Sequence, residues 1–361
     1  MIIKKLELKD YRNYESLNIE FNEGTNILYG DNAQGKTNIL EAIYVVATTK
    51  SHKASKDMDI INFKKEEAHI RTYIEKDDVQ TRIDMHLRKN KTKGIAIDGQ
   101  KIKKAADLLG LCNVVFFSPE DLCIIKNGPA ERRRFVDMEL CQLDSFYLYN
   151  LNHYNKIVNQ RNKLLKDMYM NPELKDTLNI WDSQLVSFGS KIIERRKSFV
   201  EQLNDIIYEI HEKLSGGKEK IHISYEPDVT IESFEAKLFQ NQERDIKLKM
   251  TSVGPHRDDI AFLNSDIDIR KFGSQGQQRT VALSLKLAEL ELVKKISKDT
   301  PILLLDDVLS ELDSNRQNYL LNSIGDIQTI ITCTGLEEFV NNRFEINKIF
   351  KVENGVVTSE N

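Results

Sequence analysis

The chain has 361 residues, of which 40% are hydrophobic and 30% are charged. This composition is typical of a globular protein and excludes the disordered, collagen-like and disulfide-scaffold classes. The 52 Lys and Arg residues against 56 Asp and Glu residues give a net charge of −4, so any anion-binding surface must come from local clustering of charge. A chain of this length usually forms two domains.

The cysteines and the amino-terminal residues indicate the cellular compartment of the protein. The cysteines Cys112, Cys123, Cys141 and Cys333 lack C-x-x-C spacing, which indicates reduced thiols and no zinc site. The opening residues MIIKKLELKD hold no apolar run of signal-peptide length. No stretch approaches about 18 consecutive apolar residues, the length of a membrane span. We therefore expect a cytoplasmic protein.

The first fifty residues predict an α/β start. Apolar residues alternate on both sides of a turn at 11–14, which predicts two strands. A short apolar run at 25–29 ends at Gly30, and the spacing from Lys36 to Val46 predicts a helix. The order of strand, glycine loop and helix is typical of α/β folds.

The middle of the chain predicts a helical insertion. Residues 68–104 read as basic strands with a tight turn at Asp98-Gly99. Residues 105–215 read as helices, which we expect Pro172 and Gly189 to interrupt. Strands and loops are expected at 219–270, a helix at 279–296, and buried strands at 301–305 and 329–333. We predict one lobe of residues 1–105 and 276–361, and a mainly helical lobe of residues 106–275 that carries no long coiled coil.

A phosphate-binding loop opens the predicted helix. Residues 30–37, GDNAQGKT, fit G-x-x-x-x-G-K-[ST], and the loop lies between a strand and a helix, as its mechanism requires. Backbone N–H groups and the helix N-terminus would hold phosphates, Lys36 would reach the β- and γ-phosphates, and Thr37 would bind Mg²⁺. The predicted ATP-binding residues are Gly30, Asp31, Asn32, Ala33, Gln34, Gly35, Lys36, Thr37 and Asn38.

Two carboxylates end the buried strand at 301–305. In α/β folds the carboxyl end of such a strand faces the nucleotide cleft. We expect Asp306 to hold Mg²⁺ and Asp307 to polarise the attacking water, so that Asp307 and Lys36 are the predicted catalytic residues. A strand that ends in a solvated turn is the simpler alternative.

A serine, glycine and glutamine element, residues 272–279, precedes the helix at 279–296. Ser274 is placed to cap that helix, and Gly276 permits close approach of a ligand. The three elements together resemble ABC-type ATPase heads. In that family the third element is the signature motif, here Ser274, Gly276 and Gln277, with Gln275 in place of a glycine. The resemblance implies that the signature of one subunit covers ATP on another, in an ATP-dependent homodimer; residues 310–313 resemble its D-loop.

Longer blocks are similar to the RecF family, the DNA-binding branch of SMC-like ATPases. They include residues 6–43, FFSPEDL, GPAERRRFVD, VGPHRDDI and SQGQQRTVALSLKLAELEL, and they cover nearly the whole chain. The resemblance implies a protein of recombinational gap repair that acts with RecR and RecO to help RecA load. It also implies roles in replication-fork maintenance and SOS induction.

Departures from transporter ATPases predict slow hydrolysis. Asp307 replaces the usual glutamate, residues 118–120 replace the Q-loop glutamine, and residues 332–334 replace the switch histidine. Hydrolysis would then act as a timer, in a weak, DNA-stimulated ATPase. A transporter subunit, an SMC or RecN-type protein with coiled-coil arms, and a nuclease fusion remain as alternatives.

Clusters of cations nominate a DNA-binding surface that reads backbone and shape, because no base-reading motif is present. Solvated surface and helix pairing are the commoner explanation of any one cluster, and it is the clusters together with the family resemblance that favour a phosphate-contacting face. His256 and Arg257, in VGPHRDD, have no assigned role. The nominated DNA-contacting residues are Lys53, Lys56, Lys89, Lys91, Lys93, Arg132, Arg133, Arg195 and Arg196.

Overall fold

A computed structural model describes residues 1–54, 56–168, 170–336 and 345–360. The chain forms two compact units. Their bounds are Met1–Asp121 with Glu289–Asn361 for the first, and Leu122–Ala288 for the second. The predicted boundaries between the two lobes, after residues 105 and 275, lie earlier in the chain than the observed boundaries, after residues 121 and 288.

The first unit begins with an antiparallel sheet and a helix. The sheet, here called sheet A, has the strand order β2-β1-β4-β5-β6-β7. Its strands alternate buried and exposed residues, so one face packs and the other meets solvent. The elements are β1 (Ile2–Tyr11), β2 (Tyr14–Glu20), β3 (Thr25–Tyr29), α1 (Lys36–Thr48), β4 (Glu67–Lys76), β5 (Val79–Arg88), β6 (Gly94–Ile97), β7 (Gln100–Lys101) and β8 (Val114–Phe117).

The second unit is mainly helical, with a small sheet of order β11-β10-β9. A helix at 234–248 was not expected; only Phe234, Leu238 and Asp245 of it are buried, so few apolar residues marked it in the sequence. The elements are α2 (Leu122–Lys126), α3 (Pro129–Leu143), α4 (Ser145–Asp167), α5 (Leu178–Ser215), β9 (Ile221–Glu226), α6 (Phe234–Leu248), β10 (Asp259–Asn264), β11 (Ile267–Asp268), α7 (Ile269–Phe272) and α8 (Gln275–Ser297), whose residues from Glu289 onward belong to the first unit.

The expected break at Gly189 is wrong. Helix α5 runs through this position as 38 continuous residues, and it is the longest helix of the described residues. A Cβ atom on Gly189 would lie 2.5 Å from the ring of Phe234 and 3.1 Å from that of Tyr154. The glycine therefore permits close packing of aromatic rings against the helix. Among the residues that the structure describes no long coiled coil is present, in agreement with the prediction.

The chain then completes a largely parallel sheet in the first unit, here called sheet B, of order β15-β14-β3-β13-β12-β8. Helix α1 packs between sheets A and B, because Ile43 shares one buried cluster with Ile70 of β4 and Leu304 in sheet B. Among the helices of the described residues, none combines the length and the hydrophobicity that a membrane span requires. The last elements are β12 (Ile302–Asp306), α9 (Ser314–Ser323), β13 (Thr329–Cys333), β14 (Lys348–Glu353) and β15 (Val356–Glu360).

Candidate nucleotide-binding site

The glycine loop between β3 and α1 folds into a cradle of backbone groups. Gly30 and Gly35 have φ angles of 147° and 112°, in the range that favours glycine. A Cβ atom on Gly30 would lie 2.3 Å from the carbonyl oxygen of Val352, and one on Gly35 would lie 2.5 Å from Asn13 Nδ2. The backbone contact requires glycine at position 30, and the positive φ favours glycine at both positions.

The Lys36 ammonium group lies within this loop. It donates hydrogen bonds to the carbonyl oxygens of Gly30 at 2.5 Å and Asp31 at 2.8 Å. Burial lowers the pKa of Lys36, and the carboxylate of Asp307 opposes that shift. An ammonium group held by two carbonyls can exchange them for phosphate oxygens, which are stronger, charged acceptors.

The end of β12 meets the start of α1. The Thr37 hydroxyl donates a hydrogen bond of 2.7 Å to Asp306 Oδ1. Asp306 is only 4% exposed and accepts a second hydrogen bond, of 2.8 Å, from Thr332 of β13. Because β3, β13 and β12 are parallel neighbours, their carboxyl ends converge beside the loop.

Asp307 follows in a left-handed backbone conformation, with φ of 53°. Its N–H group donates to Thr332 Oγ1 at 3.0 Å and to the Thr332 carbonyl oxygen at 3.2 Å. Its carbonyl oxygen accepts a hydrogen bond of 2.9 Å from Ser310. Thr332 therefore holds both acidic residues, although sequence reasoning noted it only as part of the segment in place of a switch histidine.

The donor atoms at this point suit a magnesium ion. Thr37 and Asp306 supply a hydroxyl and a carboxylate oxygen that already lie in contact, and oxygen ligands are those that Mg²⁺ prefers. The loop beside them offers the N–H groups at the start of α1, whose helix end favours anions. The residues present therefore fit a nucleotide phosphate with a hard divalent cation.

The turn between β1 and β2 supports the loop. Asn13 Nδ2 donates to the Gln34 carbonyl oxygen at 3.1 Å, and Asn38 Nδ2 donates to Asn13 Oδ1 at 2.8 Å. The Tyr14 hydroxyl donates to the Gly35 carbonyl oxygen at 3.1 Å. Sequence analysis assigned no role to this turn; its only signal was the YRNY segment within the family-like opening block.

A buried carboxylate on α1 binds the same turn. Glu41 is 1% exposed and accepts hydrogen bonds from Arg12 at 2.6 and 2.7 Å, Tyr11 at 3.0 Å and Ser51 at 2.5 Å. Burial alone would raise the pKa of Glu41, but the hydrogen bonds from Arg12 and Ser51 lower it. This cluster, which sequence analysis missed, fixes the turn against the nucleotide-binding helix.

The signature element lies in the second unit, at the start of α8. Ser274 Oγ accepts a hydrogen bond of 3.2 Å from the Gln277 N–H group, and Gln277 Oε1 accepts one of 2.8 Å from the Ser274 N–H group. This reciprocal pair is a capping box, so the expected cap is confirmed. Gln277 also donates to Glu219 at 3.0 Å, whereas Ser274 and Gly276 are exposed.

Lys53 of the predicted DNA-contacting set lies at the nucleotide site. Its ammonium group is 3.7 Å from Asp306 Oδ2 and 3.5 Å from Glu120 Oε1. A cation in this position screens the negative charge at the end of β12. This contact differs from the predicted contact of Lys53 with a DNA phosphate. Lys56, three residues on, is exposed.

Two of the three lysines around the end of β5 have acidic partners. Lys89 pairs with Glu66 at 3.0 Å, and Lys93 pairs with Asp57 at 3.0 Å and is 15% exposed. Lys91 between them is exposed. Lys91 is thus the most accessible cation of this group.

Burial removes two arginines of the second unit from the DNA-contacting set. Arg132 is 2% exposed and donates to both carboxylate oxygens of Asp259, at 2.6 and 3.0 Å. Arg196 is 3% exposed and pairs with Asp137 at 2.8 Å and Asp258 at 2.9 Å. These guanidinium groups satisfy buried carboxylates, so the expectation that they contact DNA is wrong.

Arg133 and Arg195 each donate a hydrogen bond within the second unit but remain partly exposed. Arg133 donates to the Asp258 carbonyl oxygen at 2.6 Å, and Arg195 donates to Asp144 at 2.8 Å with a side chain that is 26% exposed. Both remain candidates for phosphate contact.

His256 belongs to a structural network. Its ring nitrogens contact the Tyr154 hydroxyl at 2.7 Å and the Thr251 carbonyl oxygen at 3.1 Å, and burial lowers the pKa of His256. Arg257 beside it is exposed. The histidine therefore holds the segment that enters β10.

Comparison with known proteins gives consistent matches along the whole chain. A family model described as RecF/RecN/SMC N terminal domain matches residues 2–358. The chain is 63% identical over 363 residues to the DNA replication and repair protein RecF of Lachnospira eligens, covering 100% of both chains. It is 64% identical over 357 residues to the RecF protein of Lachnoclostridium phytofermentans, covering 99% of each.

Comparison with solved structures agrees with these sequence matches. The structure described as that of the recombination mediator protein RecF-ATP in the RecFOR pathway has a TM-score of 0.94 at 35% identity, and the match covers 99% of this chain and 97% of that chain. An Smc head bound to the C-winged helix domain of ScpA has a TM-score of 0.57 at 19% identity, covering 100% of this chain and 97% of that chain. The second likeness shows a shared fold alone.

Proposed function

The chain belongs to the RecF family, and from this premise we propose that it is an ATP-dependent DNA-binding protein of recombinational gap repair. ATP holds two copies together, the dimer retains DNA, and hydrolysis releases it. The relatives' printed role in DNA replication and repair, and the ATP-bound RecF structure of the RecFOR pathway, support this proposal.

One observation carries the nucleotide part of the proposal. The phosphate loop, the Thr37 hydroxyl and the two acidic residues Asp306 and Asp307 come together at the carboxyl ends of three parallel strands. This is the point at which α/β sheets bind phosphates. Magnesium with ATP is therefore the cofactor pair that we assign.

Each residue has a proposed task at this site. Lys36 exchanges loop carbonyls for phosphate oxygens, while Thr37 and Asp306 hold the cation. When bound, Mg²⁺ neutralises charge on the β- and γ-phosphates. Asp307, held by Thr332, orients the attacking water. Because its carboxylate is one methylene shorter than that of a glutamate, hydrolysis is slow, with turnover not far above about 1 s⁻¹, a low value for an enzyme.

The dimer rests on the signature element. A Cβ atom on Gly276 would meet only Ser274 Oγ, at 3.9 Å, so the described residues of this chain do not require a glycine there. Close approach of another molecule does explain it. We assign that molecule to the ATP-loaded second copy, which Ser274 and Gln277 would contact.

DNA binding is assigned to the accessible cations of each unit. Of the predicted DNA-contacting residues, those that stay at least partly accessible are Lys56 and Lys91 in the first unit and Arg133 and Arg195 in the second, with Lys89 as a weaker candidate. Contacts are made with phosphates, which position a protein without reading sequence. RecR and RecO are the proposed partners on gapped or junction DNA, with RecA loading, fork maintenance and SOS induction as the outcomes, in the cytoplasm.

The test is nucleotide-dependent DNA binding. The full-length protein is titrated into fluorescent duplex DNA with ATP and Mg²⁺, with ADP, and without nucleotide, and anisotropy is recorded. We expect DNA binding to be tighter with ATP and Mg²⁺ than with ADP or without nucleotide. Lys36→Met should remove the difference, whereas Lys295→Met, a change to an exposed lysine of α8, should preserve it. Equal affinity in all three conditions would overturn the proposal.

A further inference from the structure

Glu67, His69 and His86 form a cluster on sheet A that the nucleotide site does not use. The two imidazole rings stack with centroids 4.1 Å apart and planes inclined by 18°. His86 Nε2 lies 2.9 Å from Glu67 Oε2, and His69 Nε2 lies 3.8 Å from Glu67 Oε1. One nitrogen or oxygen atom from each residue lies within 4.8 Å of the others.

The pairing of β4 with β5 places these side chains together. His69 and His86 are direct cross-strand partners, and Glu67 is two residues from His69 on the same face. The adjacent positions point to the other face and are buried, Ala68 and Leu87 both being 0% exposed, which holds the histidines on the open face. The neighbour of His86 on β6 is Gly94, which has no side chain to cover the cluster.

We propose that Glu67, His69 and His86 bind a zinc ion. Two imidazole nitrogens and one carboxylate oxygen are ligands that Zn²⁺ accepts, and Mg²⁺, which favours oxygen ligands only, does not compete for them. Metal–ligand lengths of about 2.0–2.2 Å place tetrahedral ligands about 3.3–3.5 Å apart. Side-chain rotations would lengthen the 2.9 Å separation of His86 from Glu67 and shorten the 3.8 Å separation of His69 from Glu67 to reach that value.

The surroundings leave one coordination position open to solvent. The side chains of His69 and His86 are 45% and 35% exposed, and that of Glu67 is 56% exposed, so a water molecule or an anionic group completes the set. Lys9 and Arg88, the cross-strand neighbours of His69 and Glu67, oppose the cation electrostatically. They also favour an anion as the fourth ligand.

Bound zinc would join β4 to β5 across the exposed face of the sheet. A ligand that binds only the folded state stabilises it by mass action. The ion would therefore raise the unfolding temperature of the full chain, and each ligand substitution would remove that increase.

The experiment titrates the chelator-stripped, full-length protein with Zn²⁺ in competition with a chromophoric chelator. Excess Mg²⁺ is present to occupy the Thr37 and Asp306 site. Wild type, His69→Gln, His86→Gln and Glu67→Gln are compared with His222→Gln, a change to an exposed histidine of β9. Unfolding temperatures are recorded with and without zinc.

We expect one zinc ion per wild-type chain and per His222→Gln chain. Each ligand variant should bind zinc at least about tenfold more weakly. Loss of a group that only supports a ligand already weakens metal binding by about tenfold, and loss of a ligand should weaken it at least as much. Without zinc, all variants should unfold at the wild-type temperature. The proposal is overturned if wild type takes up no zinc at micromolar concentration, or if the His69 and His86 variants retain its affinity.

Discussion

The hydroxyl of Thr332 donates a hydrogen bond of 2.8 Å to Asp306 Oδ1, and the same oxygen of Thr332 accepts the N–H group of Asp307 at 3.0 Å. One side chain on β13 thus sets the positions of both acidic residues that end β12. The register places Thr332 directly opposite Asp306, so the arrangement follows from strand pairing.

Replacement of Thr332 with valine should destabilise the protein. Valine keeps the shape but removes a donor to a buried carboxylate and an acceptor for the Asp307 N–H group, which costs about 1–3 kcal/mol. Urea unfolding measures the free energy. Thr332→Ser, which keeps the oxygen, should recover most of it. Equal loss for valine and serine would place the effect in packing instead.

Stability should fall in acid through His52. This ring packs 4.3 Å from that of Phe116, and burial, reinforced by Lys53 and opposed by Glu41, lowers the pKa of His52 from 6.5 to about 4. Between these values the unfolded chain binds a proton that the folded chain does not, so stability decreases as pH falls through that window.

The size of this effect is up to about 3 kcal/mol at 1.36 kcal/mol per pKa unit. The measurement is the free energy of urea unfolding at pH 7 and at pH 4.5 for wild type and His52→Gln. The variant should show a smaller loss between the two pH values. An identical loss in both proteins would show that His52 does not carry it.

DNA affinity should depend steeply on salt. On duplex DNA each neutralised phosphate contributes a slope of about −0.9 to the plot of log affinity against log salt concentration. Lys56→Ala and Lys91→Ala should each reduce the slope by about this amount. Lys295→Ala serves as the matched loss of charge, with no change expected. A salt-independent affinity would exclude phosphate contacts as the source of binding.

Asp307→Asn should retain ATP while slowing its hydrolysis. An amide keeps the size of the side chain but removes the charge that orients water, and loss of such a group typically slows a reaction about 100-fold or more. Phosphate release measures turnover, and nucleotide retention on a desalting column measures binding. Wild-type turnover in this variant would exclude Asp307 from catalysis.

Much of the fold was predictable because it depends on local patterns. Period-two alternation located the strands of sheet A. The phosphate-loop motif between β3 and α1 located the nucleotide-binding site at the edge of sheet B. The cap at Ser274 was also predictable, since capping depends on residues that are close in sequence.

Other features depend on contacts between distant residues. Gly189 reads as a helix breaker, and its contacts with the rings of Phe234 and Tyr154 explain why it lies inside α5. The arginines at 132 and 196 read as surface cations until their carboxylate partners are seen. Pairing of this kind has no local signal, because the partners lie on other elements.

Sedimentation velocity of the purified protein, with and without ATP and Mg²⁺, tests most directly whether ATP joins two copies. We predict a monomer without nucleotide and a dimer with ATP, a dimer that persists longest in Asp307→Asn. Lys36→Met, which cannot hold the phosphates, and Ser274→Arg, which blocks the second copy, should remain monomeric. A dimer of equal strength with and without ATP, or one that forms unchanged in Ser274→Arg, would contradict the account.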